Sequence, residues 1–297
     1  MFRSGFVGII GRPNAGKSTL LNSLIGTKIA IIADKPQTTR NVIRGVRTDE
    51  DSQIIFIDTP GIHKPIHELG KRMNVAALST LNGADIIYYM FDVTAPLGRG
   101  DMFVINQLKT ITKPIFLLLN KSDLIEKDQL LPLIEELNQH HIFQEVIPIS
   151  ALENDNLDTL ISVTKDYLTD TLKYYPTDQI TDYPEQFIIA EIIREKVISL
   201  TEEEIPHSIA VTIEKISKKR ETLIINGLVL VERDSQKGII IGKNGRMLKA
   251  IGTQARKELE VRFGTPIFLE LFVRVEKNWR NKATKLQQLG YLKPEID

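Results

Sequence analysis

The chain has no cysteine, which excludes disulfides, thiolate metal sites and a thiol nucleophile. It also lacks any apolar run approaching the roughly eighteen residues of a membrane-spanning helix. The first strand-like run, Phe6-Val7-Gly8-Ile9-Ile10, begins so close to Met1 that no signal peptide is expected ahead of it. Net charge is missing as well, with 38 basic residues against 38 acidic ones. That balance hides an asymmetry. Between Val211 and Gly290 stand 17 Lys and Arg against 8 Asp and Glu, an excess of nine positive charges that the rest of the chain cancels. A basic C-terminal region beside an acidic N-terminal one suits a polyanionic partner for the former. At 297 residues, 42% of them hydrophobic, the chain can bury a sizeable core and is read as two domains.

Four short motifs stand in order along the first half: Gly11-Arg12-Pro13-Asn14-Ala15-Gly16-Lys17-Ser18, Asp58-Thr59-Pro60-Gly61, Asn120-Lys121-Ser122-Asp123 and Ser150-Ala151. The first fits G-x-x-x-x-G-K-[ST] between an apolar run and a helical pattern (Leu20, Leu21, Leu24, Ile25), as a phosphate-binding loop requires. Its glycines let backbone N–H groups close around an anion at a helix N-terminus, where the dipole also favours negative charge. Asp58 ends the run Ile54-Ile55-Phe56-Ile57 and Asn120 ends Pro114 to Leu119, so both polar residues sit at the C-terminal ends of buried strands. Open α/β sheets hold ligands outside those ends, and the motifs therefore converge on one crevice.

Each residue type has a task there. Asn14, Ala15, Gly16, Lys17, Ser18 and Thr19 are the expected phosphate contacts, with Lys17 a point charge for the β- and γ-phosphates. The Ser18 hydroxyl is a hard oxygen ligand for magnesium, and Asp58 is expected to hold that ion through a water. The Gly61 N–H can meet the γ-phosphate, which makes the following segment sensitive to hydrolysis. Asp123, expected to be buried, can accept two hydrogen bonds from the N1–H and amino group of guanine, donors that adenine lacks on that edge. Asn120 and the Ala151 N–H are expected at O6 and N7, Ser150 is expected among the nucleotide contacts beside Ala151, and the Lys121 stem lies along the ring. The nucleotide is a guanine nucleotide.

Hydrolysis lacks a familiar part. Many GTPases place a glutamine directly after Asp-x-x-Gly to orient water, and here Ile62 stands there. His63 and His67 are read as solvated rather than catalytic. Catalysis is expected from Lys17, Gly61, magnesium and a second cation, with Asn14 open as either a potassium ligand or a turn-shaping residue.

The pattern of strands and helices alternates up to about Asp170, giving six strands and five helices, a doubly wound and mostly parallel α/β domain (residues 1–170). Residues 171–184 carry prolines, paired tyrosines and no periodicity, and read as a linker. Residues 185–297 read as a smaller α+β domain: helix Gln186–Leu200, a hairpin around Lys218-Lys219-Arg220, helix Leu248–Phe263, strand Ile267–Val275 and a short helix from Trp279. Gly242-Lys243-Asn244-Gly245 opens the long helix as a G-x-x-G with a basic residue inside. Such a loop clamps a nucleic-acid backbone. Gly238, Ile241, Gly242, Lys243, Asn244, Gly245 and Arg246, with Lys218, Lys219 and Arg220, are the candidate RNA contacts. The helix–hairpin–helix–strand order matches the type II KH arrangement.

A P-loop GTPase domain followed by this module resembles the Era family of bacterial GTPases nearly end to end. The motifs above, Pro36-Gln37-Thr38-Thr39-Arg40 and Val231-Glu232-Arg233-Asp234-Ser235-Gln236-Lys237-Gly238 carry the likeness. The resemblance implies a monomeric cytoplasmic GTPase, partly peripheral on the inner membrane face. It implies binding to the 3′ end of 16S rRNA, a role in maturing the small ribosomal subunit, and a switch threonine, placed at Thr39, as a magnesium ligand. A second function class is a membrane-associated regulator of growth and division whose basic domain faces lipid. A GxxG loop has no task on lipid, and no helix pairs a strong apolar face with a basic one, which favours the RNA reading.

Overall fold

The computed structural model describes residues 1–33, 35, 38–62, 64–202 and 205–291. In the first domain, β1 (Arg3–Gly11) leads into α1 (Lys17–Ile25). β2 (Ile43–Thr48) and β3 (Ser52–Asp58) follow, then α2 (Glu68–Gly83), β4 (Ile86–Asp92), α3 (Arg99–Leu108), β5 (Ile115–Asn120), α4 (Lys127–Asn138), β6 (Glu145–Ile149) and α5 (Leu157–Tyr167). The sheet order is β2-β3-β1-β4-β5-β6, and every neighbouring pair is parallel except β2 with β3. β3 and β5 are buried along their whole length, because helices cover both faces, and this is why they read as unbroken apolar runs. Leu20, Leu21 and Leu24 of α1 share one core with Leu160 and Ile161 of α5. Ala77 and Leu81 of α2 pack the other face with Val104, Ile105 and Leu108 of α3. The parallel register brings Gly11, Asp58, Asp92 and Asn120 to one edge of the sheet.

Residues 171–184 are irregular in conformation but well anchored. The Val46 N–H of β2 donates to Ile180 O (2.9 Å), and the buried Gln53 amide accepts from the Tyr174 and Tyr175 N–H groups and donates to Tyr175 O. The segment thereby covers the free edge of β2, which would otherwise present unpaired backbone groups.

The second domain runs α6 (Glu185–Leu200), α7 (Ile205–Ser208), β7 (Ala210–Lys219), β8 (Thr222–Val231), α8 (Asp234–Ile241), α9 (Arg246–Phe263), β9 (Ile267–Val275) and α10 (Ala283–Gln288). β8 is central, antiparallel to β7 and parallel to β9. Ile189, Ile192 and Ile193 of α6 pack with Ala255 and Leu259 of α9 and with Ile225 of β8. Helices α7 and α8 are absent from the sequence reading. The Ile239-Ile240-Ile241 triplet has no helical period, and Gly238 weakens a helix locally, yet the backbone is helical there and only Gln236 and Ile240 are buried. The two domains also share a core: Leu69 and Met73 of α2 pack with Leu228, Leu230, Trp279, Leu286 and Tyr291.

Candidate functional site

The loop from β1 to α1 curls around the helix N-terminus through two left-handed residues, Asn14 (φ 64°) and Gly16 (φ 98°). A β-carbon on Gly16 would lie 2.2 Å from the Asn120 side-chain nitrogen, so that position admits no side chain. The buried Asn120 amide donates to Ala15 O (2.7 Å), and its oxygen accepts from the Ala151 N–H (3.0 Å). The two groups expected at O6 and N7 of the base thus meet each other here. Buried amide groups find partners within the protein, and here Asn120 staples the phosphate loop to the Ser150-Ala151 loop. Ser150 is fully buried, and its hydroxyl accepts from the Glu153 N–H. A cleft of about 440 Å³ opens beside this staple, with Lys17, Ser18, Thr39 and Gly61 at one end and Lys121 and Asp123 at the other; Asn14 and Thr19 also line it.

At the phosphate end three oxygens converge. The Ser18 hydroxyl donates to Asp58 Oδ2 (2.6 Å) and lies 2.7 Å from Thr39 Oγ1, while Asp58 Oδ1 is buried with no hydrogen-bond partner among the described residues. Two hydroxyls and a carboxylate with a free buried lone pair are the hard donor set that magnesium takes, so the residues present fit that ion. Burial pushes the Asp58 carboxyl up to about 6 against the opposing pull of Lys17. Lys17 donates from Nζ to Gly11 O (3.2 Å) and Arg12 O (2.8 Å). Its own burial lowers it to about 8 despite Asp58. Only the ammonium form attracts phosphate, so affinity is present below that value and is lost as pH rises through it. Association of nucleotide with the empty protein is expected to weaken about tenfold between pH 7 and pH 9. A titration with fluorescent GDP across that range checks this, with a Lys17→Arg variant expected to flatten the profile.

At the base end Lys121 sits in the left-handed region (φ 68°) and pairs with Asp92. Asp123 is exposed at the cleft mouth rather than buried as expected, because it follows the strand end on a short 3-10 turn (Ser122–Leu124). Two residues outside the sequence reading flank it: Leu124 and Leu152, 64% and 72% exposed, line the same cleft. Exposed leucines beside a carboxylate provide apolar walls for a flat base. Their only sequence signal is an apolar residue directly after Asp123 and directly after Ala151.

Ile62 is 2% exposed and packs in the core beneath β4 and β1, so it offers water nothing. His67 stands at the start of α2 near Arg280 and Glu232 of the second domain, and burial with the Arg280 charge holds it below the usual histidine range. It belongs to the domain seam. His63 lies outside the described residues, as do Pro36 and Gln37.

The second candidate site is the start of α9. Gly242 (φ 69°) and Gly245 (φ 74°) bracket exposed Lys243 and Asn244, and Arg246 is exposed beside them. A β-carbon at Gly242 would meet Met247 at 2.7 Å. Ile241 ends α8 next to the loop, while Gly238 lies on the exposed face of α8 and meets nothing a β-carbon would touch. A groove of about 410 Å³ runs from the loop along one face of α9, between Leu248, Gly252 and Arg256 on the helix and Leu269 and Leu271 on β9. Gly245, Leu248, Gly252 and Arg256 recur at helical spacing, a sequence signal that the motif alone does not convey. Lys218, Lys219 and Arg220 lie apart from this loop. The Thr265 hydroxyl donates to Glu221 O and the Leu223 N–H to Pro266 O, which fixes the hairpin tip at the C-terminal end of α9. That end is about 27 Å from Gly245 along an eighteen-residue helix.

Comparison with known proteins matches both domains. A family profile described as a 50S ribosome-binding GTPase matches residues 6–121, and a KH-domain profile matches 204–280. The chain is similar to Era crystallised with MgGDPNP and nucleotides 1506–1542 of 16S ribosomal RNA, at 43% identity over 98% of this chain and 99% of that one, TM-score 0.95. It is also similar to a single-substitution variant of Era from Aquifex aeolicus bound to GDP and AlF4⁻, at 42% identity, 98% and 99% coverage and TM-score 0.94.

Proposed function

The chain belongs to the Era family of GTPases, and from that premise we propose that it hydrolyses GTP with magnesium and binds the 3′ end of 16S rRNA to assist assembly of the small ribosomal subunit. The observation that carries this is the pairing in one chain of the Ser18–Thr39–Asp58 oxygen cluster with the glycine-bracketed Lys243-Asn244 loop. The domains proposed for these tasks are residues 1–170 and 185–297, joined by 171–184, in a monomer. Among the described residues no helix is long and apolar enough to cross a membrane; we place the chain in the cytoplasm, with contact at the inner membrane face peripheral.

In the proposed reaction magnesium, when bound, neutralises charge on the β- and γ-phosphates. Lys17 adds a second cation from below the loop, the Gly61 N–H donates to the γ-phosphate, and Ser18, Thr39 and Asp58 hold the metal. Leu124 and Leu152 wall the base and Asp123 reads its donors. Because Ile62 is apolar and locked in the core, water is not oriented by a side chain at that position, and turnover is expected to be slow. Asn14, exposed in a left-handed turn at the cleft, is the residue proposed to bring a monovalent cation to the phosphates. Phosphate release from GTP should be magnesium-dependent and faster in potassium than in sodium at equal ionic strength, with Asn14→Asp changing that ratio. Equal rates in both salts remove the monovalent cation; no magnesium-dependent release removes the enzymatic reading.

A further inference from the structure

The segment between α1 and β2 is tied to the second domain at both described ends. At its start Lys28 Nζ pairs with Glu195 and Glu258 at 2.7 Å each, the Ile32 N–H donates to Glu195 Oε1 at 3.0 Å, and the Arg262 guanidinium donates to Lys28 O. At its end Arg194 of α6 donates through Nη2 to Thr38 O. Arg40 donates to Pro206 O (2.8 Å) and Ile209 O and lies over the Trp279 ring, 5.9 Å from its centroid. Thr39 stands between these two anchors, with its hydroxyl on Ser18 and Ser18 on Asp58.

Arg194 is built for this contact. It is 1% exposed, on a helix whose other buried residues are mostly apolar. Its only charged partner at hydrogen-bond distance among the described residues is Glu191, one turn back, which takes Nε (2.7 Å) and Nη2 (2.5 Å). Burying a guanidinium is costly unless its geometry is used, and a Glu191–Arg194 pair serving the second domain alone would have no need to reach a carbonyl in the first. The bonded carbonyl belongs to the peptide that carries the Thr39 nitrogen, so the contact sets the backbone frame of the threonine itself. Glu195, the next residue of α6, holds the other end of the same segment.

We propose that Arg194 is a positioning residue for GTP: the second domain supplies the guanidinium that holds the Thr38–Thr39 peptide so that Thr39 meets magnesium. The proposal rests on the reading of Ser18, Thr39 and Asp58 as the metal's ligands. Threonines of this kind are ordered by the γ-phosphate and its magnesium and released after hydrolysis. Loss of the anchor therefore charges the cost of ordering one or two backbone residues to GTP binding and leaves GDP binding alone.

The test uses the full chain with fluorescent GDP and the non-hydrolysable analogue GDPNP over a magnesium series. The main variant is Glu191→Gln with Arg194→Met, which removes both buried charges together and leaves no unpaired charge. GDP affinity should stay within about twofold, GDPNP affinity should fall on the order of tenfold, and half-saturating magnesium should rise. In turnover, KM for GTP should rise and kcat should fall. Arg194→Lys keeps one donor and should recover part of the GDPNP affinity, and it serves as the second variant should the double change impair folding. Equal weakening of GDP and GDPNP, or no change in either, overturns the proposal. If the unaltered protein shows no magnesium-dependent binding of GDPNP at all, the ligand assignment fails instead, and the two failures are told apart.

Discussion

Changing Asp123 to Asn is expected to convert a guanine-selective protein into one that prefers xanthine. The carboxylate offers two acceptors to the guanine N1–H and amino group, whereas the amide offers one acceptor and one donor, the donor suiting the 2-oxygen of xanthine. Asp123 is exposed before binding, so its desolvation is completed by the base, between Leu124 and Leu152. Loss of two hydrogen bonds to a charged group that the ligand has just covered costs roughly 3 kcal/mol or more. The GTP-to-XTP affinity ratio should fall by roughly two to four orders of magnitude. Competition binding with GTP and XTP measures it, and a variant that still prefers GTP shows that Asp123 does not read the base.

The second large effect is expected in the second domain. Replacing Lys243 and Asn244 with Asp puts two carboxylates where the phosphate backbone would run and removes a cation, so tight RNA binding should be lost. The loop tolerates the change sterically, since both side chains are exposed, the left-handed Gly242 and Gly245 remain, and Asp, like Asn, is accepted at the left-handed position 244 (φ 53°). Lys243→Ala should act more gently, flattening the log–log salt dependence of RNA affinity by about 0.7, the value for one phosphate contact on a single strand. Neither variant should alter GDP affinity. By contrast, charge reversal at Lys218, Lys219 and Arg220 should weaken a short oligonucleotide much less, because the hairpin tip lies at the far end of α9. Unchanged RNA affinity in the Asp pair would return Gly242–Gly245 to an ordinary glycine turn.

The same contrast explains what is legible in the sequence. Strands buried on both faces must be apolar throughout, so a polar residue at the end of such a run is conspicuous, and Asp58 and Asn120 stand out for that reason. Gly242-Lys243-Asn244-Gly245 stands out because glycine spacing within four residues is local information. Distance along the fold is not local. Nothing in Lys218-Lys219-Arg220 tells how far a hairpin tip lies from a helix start, and composition alone groups the two. The second task of Asn120, stapling two loops, is invisible in the sequence because its partners, Ala15 and Ala151, are 105 and 31 residues away. The roles of Arg40 and Arg194 are hidden for the same cause: an arginine on a helix or in a loop reads as solvated, and only the docking of two domains buries it. Helix α8 escapes because a run of three isoleucines fits a strand as well as a buried turn of helix.

Crosslinking in living cells, followed by sequencing of the RNA bound to the unaltered chain and to the Lys243→Asp, Asn244→Asp form, tests the proposed function most directly. Reads concentrated at the 3′ end of 16S rRNA, and lost in the altered form at equal protein level, are the expected result. Reads spread over unrelated RNAs, or a 16S signal that survives the two substitutions, would contradict it.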